Sequence, residues 1–315
     1  MSGIVSIDLG SNTCRAIEYD CETKTFGREC ERIVKTADRM HETGRIDEAA
    51  VERVIEALRA ADALFDLKSV PCHAVTTAAM RMASNSADAL ARIEQETGIR
   101  FDIIDAEKEA FYALTAVKAR LKQLGIPAES LTIIDIGGGS TEVVFYQDDA
   151  RVSQSFPIGI VTIAQQCATP EEVRLMLSEA LRPVRTFVQE YYAEYGRPER
   201  FVTTAGTPTT IAAFLQGMSY DGYDAGRING FELGREACEQ ALKELLALDE
   251  KTRSIYVGVG RETLIVAGVV IVEMFYDLLG YTASTVVDDG VREGVAIAYC
   301  EDRLQPAPIS RAPNA

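Results

Sequence analysis

The sequence predicts an α/β protein of two domains facing each other across a cleft. Two segments, IDLGSNTCRAIEY at 7–19 and IDIGGGSTEVVFY at 134–146, are near-copies about one domain length apart. Each reads as an apolar run, an Asp, a Gly with Ser, and a second β-rich stretch, which is a strand, a tight turn and a returning strand. Behind each hairpin, strand-like runs alternate with segments of helical period, so the pattern starts once and then restarts. A chain of 315 residues is long enough for two such units, each burying its own core.

In the first half, Asp47 caps a helix within 44–65, with Val51, Val54, Ile55, Leu58 and Ala61 at helical spacing. Residues 71–77 (PCHAVTT) read as a short strand leading into a turn and helix near Arg81. A helix over 86–97, capped by Ser86 or Asn85, closes at Gly98. A strand at 101–104 and a helix over 107–124 precede the punctuation Gly125–Ile126–Pro127. That punctuation sets the domains at 1–127 and 128–302, followed by a flexible tail at 303–315. In the second half, one long helix interrupted at Pro183 covers 170–195. A strand at 201–204 runs into the turn at 205–208 and a helix; helices follow over 232–248 and 262–279. A strand at 284–287 and a helix over 291–300 complete the set. The apolar stretch 263–279 carries Glu273 and Asp277 and is short for a membrane span, so it reads as a buried helix.

A formal charge of −16 argues against nucleic acid or an anionic membrane as partner. It leaves room for a phosphate ligand, because a few arginines in one cleft outweigh a distant acidic surface. The seven cysteines include no CxxC pair and read as mostly buried small hydrophobes in a reducing cytosol. The N-terminus enters a strand without a basic leader, which makes a cytoplasmic location the expectation. Two-fold assemblies being the commonest, a homodimer is the default oligomer.

The chemistry concentrates in the turns. Glycines let successive N–H groups point inward and form a nest for phosphate oxygens. Gly10, Ser11, Asn12 and Thr13 in the first turn, and Gly137, Gly138, Gly139, Ser140 and Thr141 in the second, are the phosphate-binding candidates. Gly206 and Thr207 start a helix whose free N-terminus suits an anion. Asp135 and Glu142 are candidate ligands for Mg²⁺, which takes one or two carboxylates plus substrate phosphate. Glu109, at a helix start, can orient and deprotonate an attacking water, although acidic residues suit that position anyway. Arg81 offers a guanidinium fork to phosphate, with Arg15, Arg39, Arg45, Arg261 and Arg292 as further candidates. The segment DDGVREG at 288–294 reads as a turn capping a helix, and His41 and His73 are too scattered for a zinc site or a catalytic triad.

The segments IDLGSNTCR, TTAAMRMASN, IIDAEKEAF, IDIGGGSTE, AGTPTT and DDGVREG occur in the order found in the exopolyphosphatase and guanosine-pentaphosphate phosphohydrolase (Ppx/GppA) family, which this chain resembles over 4–299. The resemblance implies two ribonuclease-H-like domains of the actin and sugar kinase superfamily with the active site between them. It implies Mg²⁺-dependent hydrolysis of a terminal phosphoanhydride of polyphosphate or guanosine pentaphosphate. By position, Glu109 resembles the catalytic base, Arg81 the phosphate-clamping arginine, and Asp135 and Glu142 the metal and water-orienting carboxylates. Lys108 stands where the family usually has an acidic residue beside the base, and the chain is a short form that ends near the last motif. Rival readings are a kinase of the same superfamily and a nucleotide or alarmone sensor with little turnover.

Overall fold

The computed structural model describes residues 3–304. Its first sheet contains β1 (Gly3–Leu9), β2 (Thr13–Asp20), β3 (Thr25–Ile33), β4 (Cys72–Thr76) and β5 (Phe101–Ile103), in the order β3-β2-β1-β4-β5. The helices of this half are α1 (Met40–Thr43), α2 (Glu48–Phe65), α3 (Ala78–Met82), α4 (Ser86–Thr97) and α5 (Ala106–Gln123). The second sheet contains β6 (Ser130–Ile136), β7 (Thr141–Gln147), β8 (Ala150–Phe156), β9 (Arg200–Thr204), β10 (Glu232–Gly234) and β11 (Ala283–Val286), ordered β10-β11-β9-β6-β7-β8. Read from its other edge it repeats the first, with β10 added beyond β11. In both sheets the hairpin strand pairs antiparallel on one side and parallel on the other.

The remaining helices are α6 (Ile160–Ala164), α7 (Pro170–Ala180), α8 (Arg182–Tyr195), α9 (Gly206–Leu215), α10 (Ala225–Ile228), α11 (Arg235–Ala247), α12 (Glu250–Val257), α13 (Leu264–Leu279) and α14 (Val291–Leu304). The buried α13 lies in the core of the second sheet, and no helix among the described residues is long and apolar enough to cross a membrane.

Two helices change partners. Although α5 follows the first sheet in the chain, its Ala110, Leu114, Val117 and Leu121 pack on Leu131, Ile133, Val144 and Tyr146 of the second. Conversely, α14 ends the second half but buries Ala296, Ile297 and Cys300 against Ile4, Tyr19 and Cys21 of the first sheet. The two helices also pack on each other, so the sheets sandwich them. Gly294 permits this crossing: a Cβ there would lie 1.9 Å from the Tyr112 carbonyl oxygen.

Several expectations are corrected. Each hairpin gains a third strand, β3 and β8, whose alternating exposed residues gave little apolar signal. The interruption expected at Pro183 within 170–195 is present but falls at Leu181, two residues earlier, with Pro183 in the first turn of α8, where its missing N–H is tolerated. The helix expected from 232 begins at Arg235, because residues 232–234 pair with β11 as an edge strand. Cys21 and Cys300 are joined in a disulfide across a sequence separation of 279. No spacing rule anticipates that bond, which depends on α14 returning to the first sheet. Of the free cysteines, Cys14 and Cys238 are buried. The tail expected over 303–315 falls, from residue 305 onward, outside the described residues.

Candidate active site

Strand alternation aims the carboxylates. Along β1, Val5, Ile7 and Leu9 enter the α2 core, so Ser6 and Asp8 face the other way, toward α14. Ser6 confirms that direction by donating to the Arg292 carbonyl at 2.7 Å. Along β6, Leu131 and Ile133 face α5, and Asp135 is the next residue on that face. Cross-strand register pairs Asp8 with Arg15 and Asp135 with Glu142, at equivalent places in the duplicated hairpins. One hairpin therefore presents an acid–base pair and the other an acid–acid pair.

The helix α5 supplies the third carboxylate. Asp105 caps it by accepting from Lys108 N, and Glu109 follows in the first turn, only 7% exposed. Arg81 Nη1 donates to Glu109 Oε2 at 2.7 Å and to the Ile104 carbonyl at 2.8 Å. Glu109 Oε1 has no protein hydrogen-bond partner among the described residues.

The glycine turns touch. A Cβ on Gly138 would lie 2.8 Å from Ser11 Cβ, and one on Gly139 would lie 2.9 Å from Ser11 Oγ, so larger residues would push the turns apart. Beside them, α9 starts without a side-chain cap, leaving its first N–H groups for an anion. Ala205, just before it, holds φ 71° and ψ −176°, a region that suits glycine.

Gly10, Ser11, Asn12, Thr13, Gly137, Gly138, Gly139, Ser140, Gly206, Thr207, Glu109 and Asp135 share one cleft wall. Of the further arginines Arg15 and Arg261 line the cleft, whereas Arg39, Arg45 and Arg292 do not, and neither do Thr141, Glu142 and Arg81. Thr141 is fully buried and donates its hydroxyl to the Ile158 carbonyl at 2.5 Å, so that group is not free for phosphate. Glu142 lies beneath the wall, with Oε1 accepting from Ser140 Oγ at 2.8 Å and Ser155 Oγ at 2.7 Å. Arg81 is off the wall and holds Glu109 rather than the open cleft.

Burial dominates the electrostatics. It raises Asp135 to about 7, reinforced by the Glu142 and Asp8 carboxylates and opposed by Arg15. It raises Asp8 to about 6, and there Arg15 opposes it most. Glu109 is pushed well above the usual carboxylate range, first by burial, then by Glu142, with Arg81 acting the other way. The Asp8 Oδ1 oxygen is buried with no hydrogen-bond partner. Among the described residues no three His, Cys, Asp or Glu side chains close into a ready metal cage. An all-oxygen set with one orphaned oxygen nevertheless fits Mg²⁺, which keeps waters and takes phosphate as further ligands.

Other positions at or beside the cleft had weaker signals. Asp288 lines the cleft with its carboxyl raised to about 6, mainly by burial, although its motif reads as a helix cap. The capping itself is real, since Glu293 accepts from Gly290 N at 2.9 Å. Asp8 is the first member of the duplicated register, and that duplication was the available signal. Glu31, on the unanticipated β3, meets Arg15 at 3.0 Å and Arg261 at 2.5 Å, and both arginines line the cleft.

Comparison with known proteins places this geometry. The family model described as the Ppx/GppA phosphatase family matches residues 25–301. Exopolyphosphatase 2 of Mycobacterium tuberculosis is 27% identical over 327 aligned positions, which cover 95% of this chain and 98% of that protein. The crystal structure of the Aquifex aeolicus member of the Ppx/GppA family superposes with a TM-score of 0.74 at 27% identity, covering 96% and 99% of the two chains. An exopolyphosphatase from Cytophaga hutchinsonii shares the fold, with a TM-score of 0.81 at 22% identity and coverage of 95% and 98%. The two-domain, actin-like architecture expected from the sequence is thereby established, and the chain belongs to the Ppx/GppA phosphatase family.

Proposed function

We propose that this protein hydrolyses the terminal phosphoanhydride bond of inorganic polyphosphate, with guanosine pentaphosphate as a second substrate presenting the same bond. The observation that carries the reading is Glu109: buried, with Oε2 held by Arg81, and sharing a cleft wall with two touching glycine turns. Its unengaged Oε1 receives a proton from the attacking water. The water oxygen bonds to the terminal phosphorus as the bridging P–O bond breaks, releasing orthophosphate and a shortened chain that carries the negative charge away. The raised Glu109 carboxyl brings its basicity nearer to working pH. Backbone amides of both turns and of the α9 start stabilise charge on the transferring group, which is the main demand of phosphoryl transfer. Arg81 positions the base in this scheme. Asp135 and Glu142, with Asp8 beside them, would hold Mg²⁺, whose charge would offset that of the phosphate oxygens.

The test is phosphate release from medium-chain polyphosphate and from guanosine pentaphosphate with Mg²⁺, for wild type and Glu109→Gln. A general base contributes about 10²–10⁴-fold, and a loss of that order with an unchanged melting profile is expected. Full activity in Glu109→Gln would remove Glu109 from the mechanism. Release without an acceptor distinguishes hydrolysis from kinase transfer, while tight binding without release would mark a sensor.

A further inference from the structure

Two hydroxyls of different standing hold Glu142. Strand register sets it opposite Ser155 of β8, and its Oε1 accepts from Ser155 Oγ at 2.7 Å and from Ser140 Oγ at 2.8 Å. Ser140 belongs to the second glycine turn and lines the cleft, whereas Ser155 does not. A serine hydroxyl carries one proton, so while Ser140 donates to Glu142 it has none to give a phosphate oxygen. For Glu142 the two bonds duplicate each other: a carboxylate on a residue only 2% exposed needs a donor, and either serine supplies one. For the cleft they do not, because of the two serines Ser140 alone borders it. The neighbouring hydroxyl of Thr141 is no substitute, its proton being spent on the Ile158 carbonyl. At the equivalent place in the first hairpin Arg15 is paired across the strands with Glu31 of β3. In both hairpins, then, the third strand supplies the partner of the charged side chain.

We propose that Ser155 is a positioning residue: it keeps Glu142 Oε1 hydrogen-bonded from behind the cleft wall and so releases the Ser140 proton to a substrate phosphate. The inference rests on the hydrolase reading for its ligand class. When phosphate enters, the Ser140 hydroxyl turns toward it, and Glu142 keeps one donor throughout. Without Ser155, the same turn would strip a buried carboxylate oxygen of its last donor, which costs more than an ordinary exchange of hydrogen bonds. Ser140 would then stay on Glu142, and the second turn would hold phosphate through its backbone amides alone.

The test reads binding by calorimetry, with imidodiphosphate and Mg²⁺ as the probe, for wild type, Ser155→Ala, Ser155→Thr, Ser140→Ala and the double variant of both alanines. Ser155→Ala and Ser140→Ala should each bind about tenfold more weakly, the order of one hydrogen bond to a charged group. Ser155→Thr keeps the hydroxyl and should bind as wild type does. The double variant should be no weaker than Ser140→Ala, because the bond that Ser155 makes available is already gone. A purely structural role for Ser155 would instead make the two losses add. Wild-type affinity in a folded Ser155→Ala, or additive losses in the double variant, would overturn the proposal. So would a wild type that does not bind the probe, since the turn would then hold no phosphate. Phosphate release from polyphosphate is a separate readout: a wild type that binds the probe but releases nothing sinks the hydrolase reading and leaves the Ser155 result standing.

Discussion

Replacing Gly294 with Ala sets helix propensity against packing. Alanine is better than glycine in a helix interior by about 1 kcal/mol, so a free α14 would be stabilised. In the folded protein the new methyl would lie 1.9 Å from the Tyr112 carbonyl oxygen, 2.5 Å from its carbon and 2.7 Å from the Cα. All three are backbone atoms, so no side-chain rotation relieves the contact, and α14 and α5 must separate by more than an ångström. Overpacking costs about 1–3 kcal/mol and sometimes more, and the rigid partners place this case at the upper end. After the propensity gain, a net loss of about 2 kcal/mol remains, which corresponds to roughly 4–8 °C in Tm. Glu109 lies one turn before Tyr112 on α5, so the same displacement moves the proposed base, and a 1 Å misplacement can cost about 10²-fold in rate. Differential scanning calorimetry and phosphate release on Gly294→Ala check both effects. An equal or higher Tm would refute the backbone-to-backbone packing of the exchanged helices.

Stability should fall as pH rises through neutrality. Folded Asp8, Asp135 and Asp288 keep their protons to about 6, 7 and 6, whereas the unfolded chain releases them near 3.8. The native state thus binds more protons between those values, and without divalent cations Tm should be higher at pH 5.5 than at pH 7.5. Mg²⁺ added at pH 7.5 should recover much of the difference; a higher Tm at pH 7.5 without metal would contradict the burial argument. Reducing the Cys21–Cys300 bond, or making Cys300→Ser, frees the ends of a very long loop. A loss of about 2–4 kcal/mol is expected in denaturant titration, and an unchanged midpoint would mean the bond adds nothing. Ala205→Gly should raise stability by about 1 kcal/mol by relieving the left-handed φ of 71°, while a lower Tm would show that the methyl contributes more than the strain costs.

Much of the site was legible because duplication is a sequence property. The two Asp–Gly turns, the helix start carrying Glu109 and the free start of α9 all depend on local residue order, and local order is what periodicity and capping report. The third strands were not legible, since β3 alternates half-buried and exposed polar residues such as Arg28 and Glu31. Thr141 shows the limit of composition: a hydroxyl after a glycine turn could face phosphate or the protein, and strand β7 turns it toward Ile158.

By itself, the sequence determined that two hairpin-led α/β units exist and which turns bear glycines, hydroxyls and carboxylates. Tertiary structure alone decided that α5 and α14 exchange sheets, that Cys21 meets Cys300, and that Glu31 meets Arg15 and Arg261. The physical reason is range. Strand alternation and capping are set within a few residues, whereas these contacts join segments far apart in sequence and form only once both sheets have closed on the same pair of helices.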